Sequence, residues 1–338
     1  LTRPEMAVLL AYAKNSIYDE LLPSDLPDDP QLGEDLVTYF PEFLQKTYGE
    51  QIHKHRLRRE IIATVVTNSL INRMGATFIH IMKERTGQPA SAIARAYAIT
   101  RGAFRLRELW TGIQALDNKV PAKVQTQMLI EINRLAEQAT QWFLRNGKHP
   151  LDIAANVAAT SPGLVALESA LTDLLAAEDR AFVAEGEARL IEHGVPAELA
   201  RRVAQVPALV SSLDIVRIGG ELKMKVENVA RTYYAVGEAF HLDWLRDGAR
   251  ELIGDSHWDR LAVFAIIEDL YGHQRDLTTA ILSAGGKQTG SEAIAAWRGT
   301  RGAALTRADS LFGDLRQVGK LDLAMLAVAN RTLRSLIG

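Results

Sequence analysis

HKHRLRREIIATVVTNSLINRMGATFIHIMKER, residues 53–85, is the stretch whose reading decides the fold. It opens with Lys54, Arg56, Arg58 and Arg59, then turns almost wholly apolar through Ile61, Ile62, Val65, Val66, Leu70 and Ile71. Those positions fall on more than one face of a helical turn, so the spacing predicts a helix covered on several sides. Run from about Gln51 to Arg73, it would be about 35 Å long, enough to cross a domain. Asn68 and Asn72 sit one turn apart inside the apolar run. Buried amides need partners, so these two are expected to form a buried polar pair, bonded to each other or to a neighbouring helix. Arg56, Arg58, Arg59 and Arg73 make a candidate interface, because arginine pairs bidentately with carboxylates. The plainer reading of the basic start is a solvated helix end.

Upstream, Thr2 and Glu5 have the spacing of a capping box, with Pro4 just inside the helix start. Met6, Leu9, Leu10, Ala13 and Ile17 then form one apolar stripe. Between Asn15 and Gln45 there is no lysine or arginine but eight acids: Asp19, Glu20, Asp25, Asp28, Asp29, Glu34, Asp35 and Glu42. Pro23, Pro27 and Pro30 predict an extended loop there. Such an acidic arm before a basic helix start invites pairing within the chain or across an interface. A solvated loop is the simpler expectation, since exposed ion pairs contribute only about 0–1 kcal/mol each.

Downstream, Thr86-Gly87-Gln88-Pro89 predicts a turn, followed by helices near residues 90–116, with a break near Gly102, and 122–145. Asn146-Gly147 and His149-Pro150 stop the second of these and mark the expected boundary between two helical subdomains, 1–148 (with its central helix near 51–73) and 149–338. A long helix is expected over about 164–192 and a short one after Pro196. No sustained alternation of β-branched residues occurs, so the chain reads as all-α, an elongated multi-helix array.

That array carries an internal echo. Ala94-Arg95-Ala96-Tyr97, Ala103-Phe104, Leu106 and Leu109 recur as Ala230-Arg231-Thr232-Tyr233, Ala239-Phe240, Leu242 and Leu245, all at an offset of 136 residues. The offset implies a duplicated helical unit, roughly 76–146 and 212–282. Because the second copy has Leu222-Lys223 where the first has Thr86-Gly87, it is expected to turn at Gly219-Gly220 instead.

The chain has 338 residues, with 47% hydrophobic and 24% charged, as in ordinary globular proteins. That length implies more than one hydrophobic core. No cysteine is present, which excludes disulfides and thiol chemistry within the sequence and fits a reducing compartment. A net charge of −2 argues against general nucleic-acid binding. No apolar run approaches a membrane span. The chain opens at Leu1 without a methionine and is expected to be part of a longer polypeptide.

The usual dinucleotide, phosphate-loop and zinc-protease motifs are missing from the sequence. Asp269 and His273, one turn apart, have metal-ligand spacing but read better as a salt-bridged pair. Glu268-Asp269 as an acid/base pair is disfavoured because adjacent helical residues diverge. Trp110, Trp142, Trp244, Trp258 and Trp297 read as packing anchors. Gly285-Gly286-Lys287 has a phosphate loop's composition only and is expected to stop a helix. Residue chemistry therefore assigns no catalytic, cofactor-binding or metal residue.

Several strings are long enough to carry a resemblance: LTRPEMAVLLAYAK at 1–14, SDLPDDP at 24–30, HRLRREIIATVVTNSLINRMGATF at 55–78 and ATQWFLRN at 139–146. VARTYYAVGEAFHLDWL at 229–245 and HWDRLAVFAIIEDLYGHQRDLT at 257–278 continue it. The chain resembles the C-terminal region of the large bacterial NAD-specific glutamate dehydrogenases. The resemblance implies a non-catalytic helical domain of a cytoplasmic, homo-oligomeric enzyme of glutamate catabolism, which converts L-glutamate, NAD and water to 2-oxoglutarate, ammonia and NADH. It implies that NAD and the catalytic residues belong to the enzyme's catalytic core, this domain's partner; the net charge and the lack of a long apolar run predict no nucleic-acid and no membrane partner. A docking or effector-binding module using Arg56, Arg58 and Arg59 is the alternative.

Overall fold

The computed structural model describes every residue except Leu1, Asp255, Gly285, Lys287, Thr300, Arg301 and Gly338, and the side chain of Ala303. The described residues are helical with no strand, so the all-α expectation holds. They form two compact units, residues 1–162 with 187–210, and residues 163–186 with 211–338.

The first unit contains α1 (Arg3–Leu21), α2 (Gly33–Thr38), α3 (Glu42–His53), α4 (Arg58–Met74), α5 (Phe78–Thr86), α6 (Ala90–Ala103), α7 (Leu106–Gln114) and α8 (Ala122–Asn146). The passages between units fall within α9 (Ile153–Leu174) and α10 (Ala177–Glu192), and α11 (Ala197–Gln205) returns to the first. The second unit continues through α12 (Ser212–Leu222), α13 (Val226–Ala239), α14 (Leu242–Glu251), α15 (His257–Ala284), α16 (Gly290–Arg298), α17 (Gly302–Val318) and α18 (Leu323–Ile337).

The central helix is shorter than its sequence pattern predicts. It starts at Arg58 rather than Gln51, because the chain turns at 54–57. There the backbone N–H of Leu57 donates to His55 Nδ1 at 3.1 Å, and that of His55 donates to Ile52 O at 3.0 Å. A side chain that accepts from the backbone this way competes with continued helix. The cover on several sides is as expected. α4 buries Ile61, Ile62, Ala63, Val66, Thr67, Leu70 and Ile71 and is packed by α1, α2, α5, α6 and α8. Around it, Tyr97 and Phe143 are fully enclosed, and the Tyr97 hydroxyl lies 2.8 Å from Ser69 Oγ.

The helix expected over 164–192 is two helices, parted at Leu175-Ala176. The break occurs where consecutive leucines, Leu174 and Leu175, are both buried. The Arg180 guanidinium donates to the Leu175 carbonyl at 3.0 Å and so satisfies an acceptor left by the interruption. α9 begins earlier than expected because Asp152 caps it, accepting from the Ala155 N–H at 2.8 Å. In the second unit, Phe240, Leu270, Leu277, Trp297, Phe312 and Leu333 lie in one apolar core. Of the expected stop at 285–287, Gly285 and Lys287 lie outside the described residues.

α6 and α13 begin and end 136 residues apart. The left-handed residues recur at the same offset, Gly87 (φ 68°) with Lys223 (φ 54°), and Arg105 (φ 52°) with His241 (φ 55°). The turn before α13 is therefore at Lys223 and not at Gly219-Gly220, which lie inside α12. Gly219 is needed there for another reason: a Cβ on it would stand 3.2 Å from the Met224 carbonyl oxygen. A left-handed lysine is held against a steric cost of about 1–2 kcal/mol. Lys223→Gly is accordingly expected to raise the stability of the chain by about 1 kcal/mol, seen as a higher urea midpoint.

Candidate interface: the acidic arm and the basic helix start

Proline does not hold the acidic arm open. Pro27 and Pro30 start short 3-10 turns at Leu26–Asp28 and Pro30–Leu32, where a missing N–H costs nothing. These turns and α2 bury Leu26, Leu32 and Leu36. With its apolar side chains fixed inward, the arm brings its carboxylates against arginines far along the sequence. Arg59 meets Asp28 and also donates to the carbonyls of Leu22 and Ser24 at 2.8 and 3.0 Å. Arg95 reaches Asp25 at 3.0 Å and Asp29 at 2.6 Å, and Lys83 reaches Glu20 at 2.7 Å.

The innermost group is Asp35. It accepts from Arg101 through both oxygens, at 3.0 and 2.5 Å, and from Arg107 at 2.7 Å. Arg107 also pairs with Glu34 at 3.0 Å. The Arg101 and Asp35 side chains are only 8% and 3% exposed. The expectation of a solvated acidic loop is thus corrected to an arm clasped by ion pairs within its own unit. A hollow of about 470 Å³, lined by Asp25, Asp29, Arg95, Pro150 and Asp152 among others, opens beside the clasp.

The four arginines of the candidate interface have different fates. Arg59 is held by the arm. Arg73 stacks on the Trp110 ring, 4.8 Å from its centroid, and burial lowers its pKa. Arg58 is half-buried, with its Nε enclosed and unpartnered, and Arg56 is exposed. Asn68 and Asn72 do not form the expected buried pair: Asn68 is half-buried, Asn72 faces solvent, and no side-chain hydrogen bond joins them. The helix is covered widely enough for its apolar positions, but its cover stops short of Asn72. Arg59→Glu is expected to destabilise the chain by about 1–2 kcal/mol, a value discounted for partial exposure. Arg56→Glu should stay within about 0.5 kcal/mol in the same urea unfolding measurement.

A family model described as "Glutamate dehydrogenase, C-terminal" matches residues 1–335. The chain belongs to the glutamate dehydrogenase C-terminal family. It is 36% identical over 340 aligned residues to the NAD-specific glutamate dehydrogenase of Pseudomonas aeruginosa, covering 99% of this chain and 21% of that relative. Against the enzymes of the same name from Halomonas elongata and Mycobacterium tuberculosis, identity is 33% and 31%. Those matches cover 88% and 99% of this chain but 18% and 20% of the relatives. The chain therefore spans about a fifth of the length of the relatives it matches.

Elsewhere in this glutamate dehydrogenase C-terminal domain, Asp269 and His273 are not the salt-bridged pair expected from their spacing. Asp269 accepts from Asn330 Nδ2 at 2.7 Å and lies 3.8 Å from Arg334. His273 is buried with an unpartnered Nε2, and burial depresses its pKa. Among the described residues, no group of three or more His, Asp or Glu is placed to hold a metal ion. No helix among them is long and apolar enough to cross a membrane. Trp110 and Trp297 are buried anchors as expected, Trp142 and Trp244 are half-buried, and Trp258 departs at 76% exposure.

The second unit has a polar cluster that sequence reading missed. Arg246 donates to Gln274 Oε1 at 2.8 Å and Asp243 at 2.6 Å, and lies 4.3 Å from the Tyr271 ring centroid. Gln274 Nε2 donates to the Tyr233 carbonyl at 2.8 Å, and Asp214 takes Arg275 at 3.3 Å. Nothing short of the fold brings Asp214, Arg246 and Gln274 together.

Proposed function

We propose that this chain is the non-catalytic helical domain of an NAD-specific glutamate dehydrogenase, supporting assembly or motions of the catalytic core. The parent reaction is oxidation of L-glutamate with NAD and water to 2-oxoglutarate, ammonia and NADH, in a cytoplasmic homo-oligomer serving glutamate catabolism. The family match over residues 1–335 carries the reading. Two charge clusters support it: Asp35 is held by Arg101 and Arg107, and Arg246 by Asp243 and Gln274, as in structural ion-pair networks. A gating role is physically reasonable because hydride transfer benefits from exclusion of water. The parentage is tested by adding L-glutamate and NAD to the full-length polypeptide. Glutamate-dependent NADH formation is the expected result, and its absence would refute the assignment.

A second reading has its own observation, the enclosed, unpartnered Nε of Arg58 beside exposed Arg56. These two would receive an anionic effector or an acidic partner surface, without Arg59, which the arm already holds. Charge reversal at both positions in the full-length enzyme should then weaken effector response or assembly. Unchanged behaviour would leave them as solvated cations.

Residues 212–282 further read as a copy of residues 76–146. The common offset of helix ends and left-handed residues supports a duplication. Replacing Lys223-Met224-Lys225 by Gly-Gln-Pro, the sequence at 87–89, should keep helicity and leave stability at least as high; a loss of either would count against equivalence.

A further inference from the structure

In α1 the sequence and the surroundings disagree. Its start is firmly defined by the capping box, with the Thr2 N–H donating to Glu5 Oε2 at 2.7 Å and the Glu5 N–H to Thr2 Oγ1 at 3.5 Å. From Met6 to Ala13 it then reads MAVLLAYA, without one charged group or amide side chain. Eight consecutive residues at helical spacing cover every face, and a helix that is apolar all round belongs in a protein interior. Yet none of the eight is buried. Tyr12 is 71% exposed and Val8 55%, with Met6 and Leu9 also exposed, and α1 first buries a side chain at Ile17. The expected stripe of Met6, Leu9, Leu10, Ala13 and Ile17 is used only at its C-terminal end.

We infer that the Met6–Ala13 segment of α1 is a docking element for the part of the same polypeptide that precedes it. This deepens the functional reading above and rests on it. The relatives are about five times longer than the stretch they share with this chain, and the matching family is described as their C-terminal part. In them the remaining polypeptide lies on the N-terminal side, the side from which α1 is entered. The occupant is therefore tethered next to the exposed segment, which raises its effective concentration there. The segment's neutral, aliphatic-aromatic character calls for an apolar groove and not a charged surface.

Hydrogen exchange tests this in the full-length polypeptide and in the 338-residue chain. Amides of residues 7–13 should exchange about tenfold or more slowly in the full-length polypeptide. Leu9→Glu with Tyr12→Glu should abolish that protection while leaving the Tm of the 338-residue chain unchanged. Equal exchange in the two forms would overturn the inference. So would concentration-dependent self-association of the 338-residue chain that protects the segment and is lost in the double variant, because the occupant would then be a second copy. Glutamate-dependent NADH formation by the full-length polypeptide is read separately. Its absence with α1 protected would refute the dehydrogenase assignment and leave the docking intact.

Discussion

Asp35→Ala is expected to destabilise the chain by about 3–5 kcal/mol, the effect of stranding an enclosed charge. Asp35 is 2% exposed, accepts from both terminal guanidinium nitrogens of Arg101 and takes a third bond from Arg107. Removing it leaves Arg101 enclosed without its counter-charge, while Arg107 keeps Glu34 and partial access to water. The cost is therefore Arg101's. The reverse change, Arg101→Met, should cost less, because Asp35 retains Arg107. Replacing both partners by apolar residues, Asp35→Leu with Arg101→Met, should recover most of the loss, since well-packed apolar replacements of buried pairs are often neutral. Urea unfolding of the four proteins checks the ordering. A single Asp35→Ala loss below about 1 kcal/mol would mean that water reaches Arg101.

The second large effect is expected in the other unit. Gln274→Leu keeps the volume of the side chain but removes the acceptor for Arg246 and the donor to the Tyr233 carbonyl, at a cost of about 2–3 kcal/mol. Asp243 and the Tyr271 ring still face the guanidinium, which keeps the loss below that at Asp35. Gly237→Ala gives an independent check. Alanine would ordinarily gain about 1 kcal/mol inside a helix. Here an added Cβ would stand 2.8 Å from Gln274 Nε2, so the substitution is expected to destabilise by displacing that amide. Thermal unfolding that shows Gly237→Ala to be stabilising would contradict the tight Gln274 geometry.

Much of the helix punctuation was legible in the sequence because the signals are local. Gly87 ends α5 in the left-handed region, Pro121 precedes α8, and Gly147 follows it. The left-handed Lys223, Arg105 and His241 were not legible, since nothing in those residue types requests a positive φ and tertiary packing imposes it. At the break before α4, His55 Nδ1 takes the Leu57 N–H, a local contact that no periodicity encodes. The clasp was legible only in part. Eight acids facing a basic helix start raised the question of pairing, but the residues that answer it, Arg95, Arg101 and Arg107, lie 66–72 residues from Asp29 and Asp35. Asn68 and Asn72 failed as a buried pair for the same reason. Helical spacing says which residues share a face, and only the surrounding fold says where that face meets water.

We propose that this domain is scaffolding and that glutamate oxidation occurs on polypeptide outside it. The most direct measurement is to supply the purified 338-residue chain with L-glutamate and NAD and to follow NADH, with the full-length enzyme alongside. The account predicts turnover by the full-length enzyme and none by the chain alone. Glutamate-dependent NADH formation by the isolated chain would contradict it.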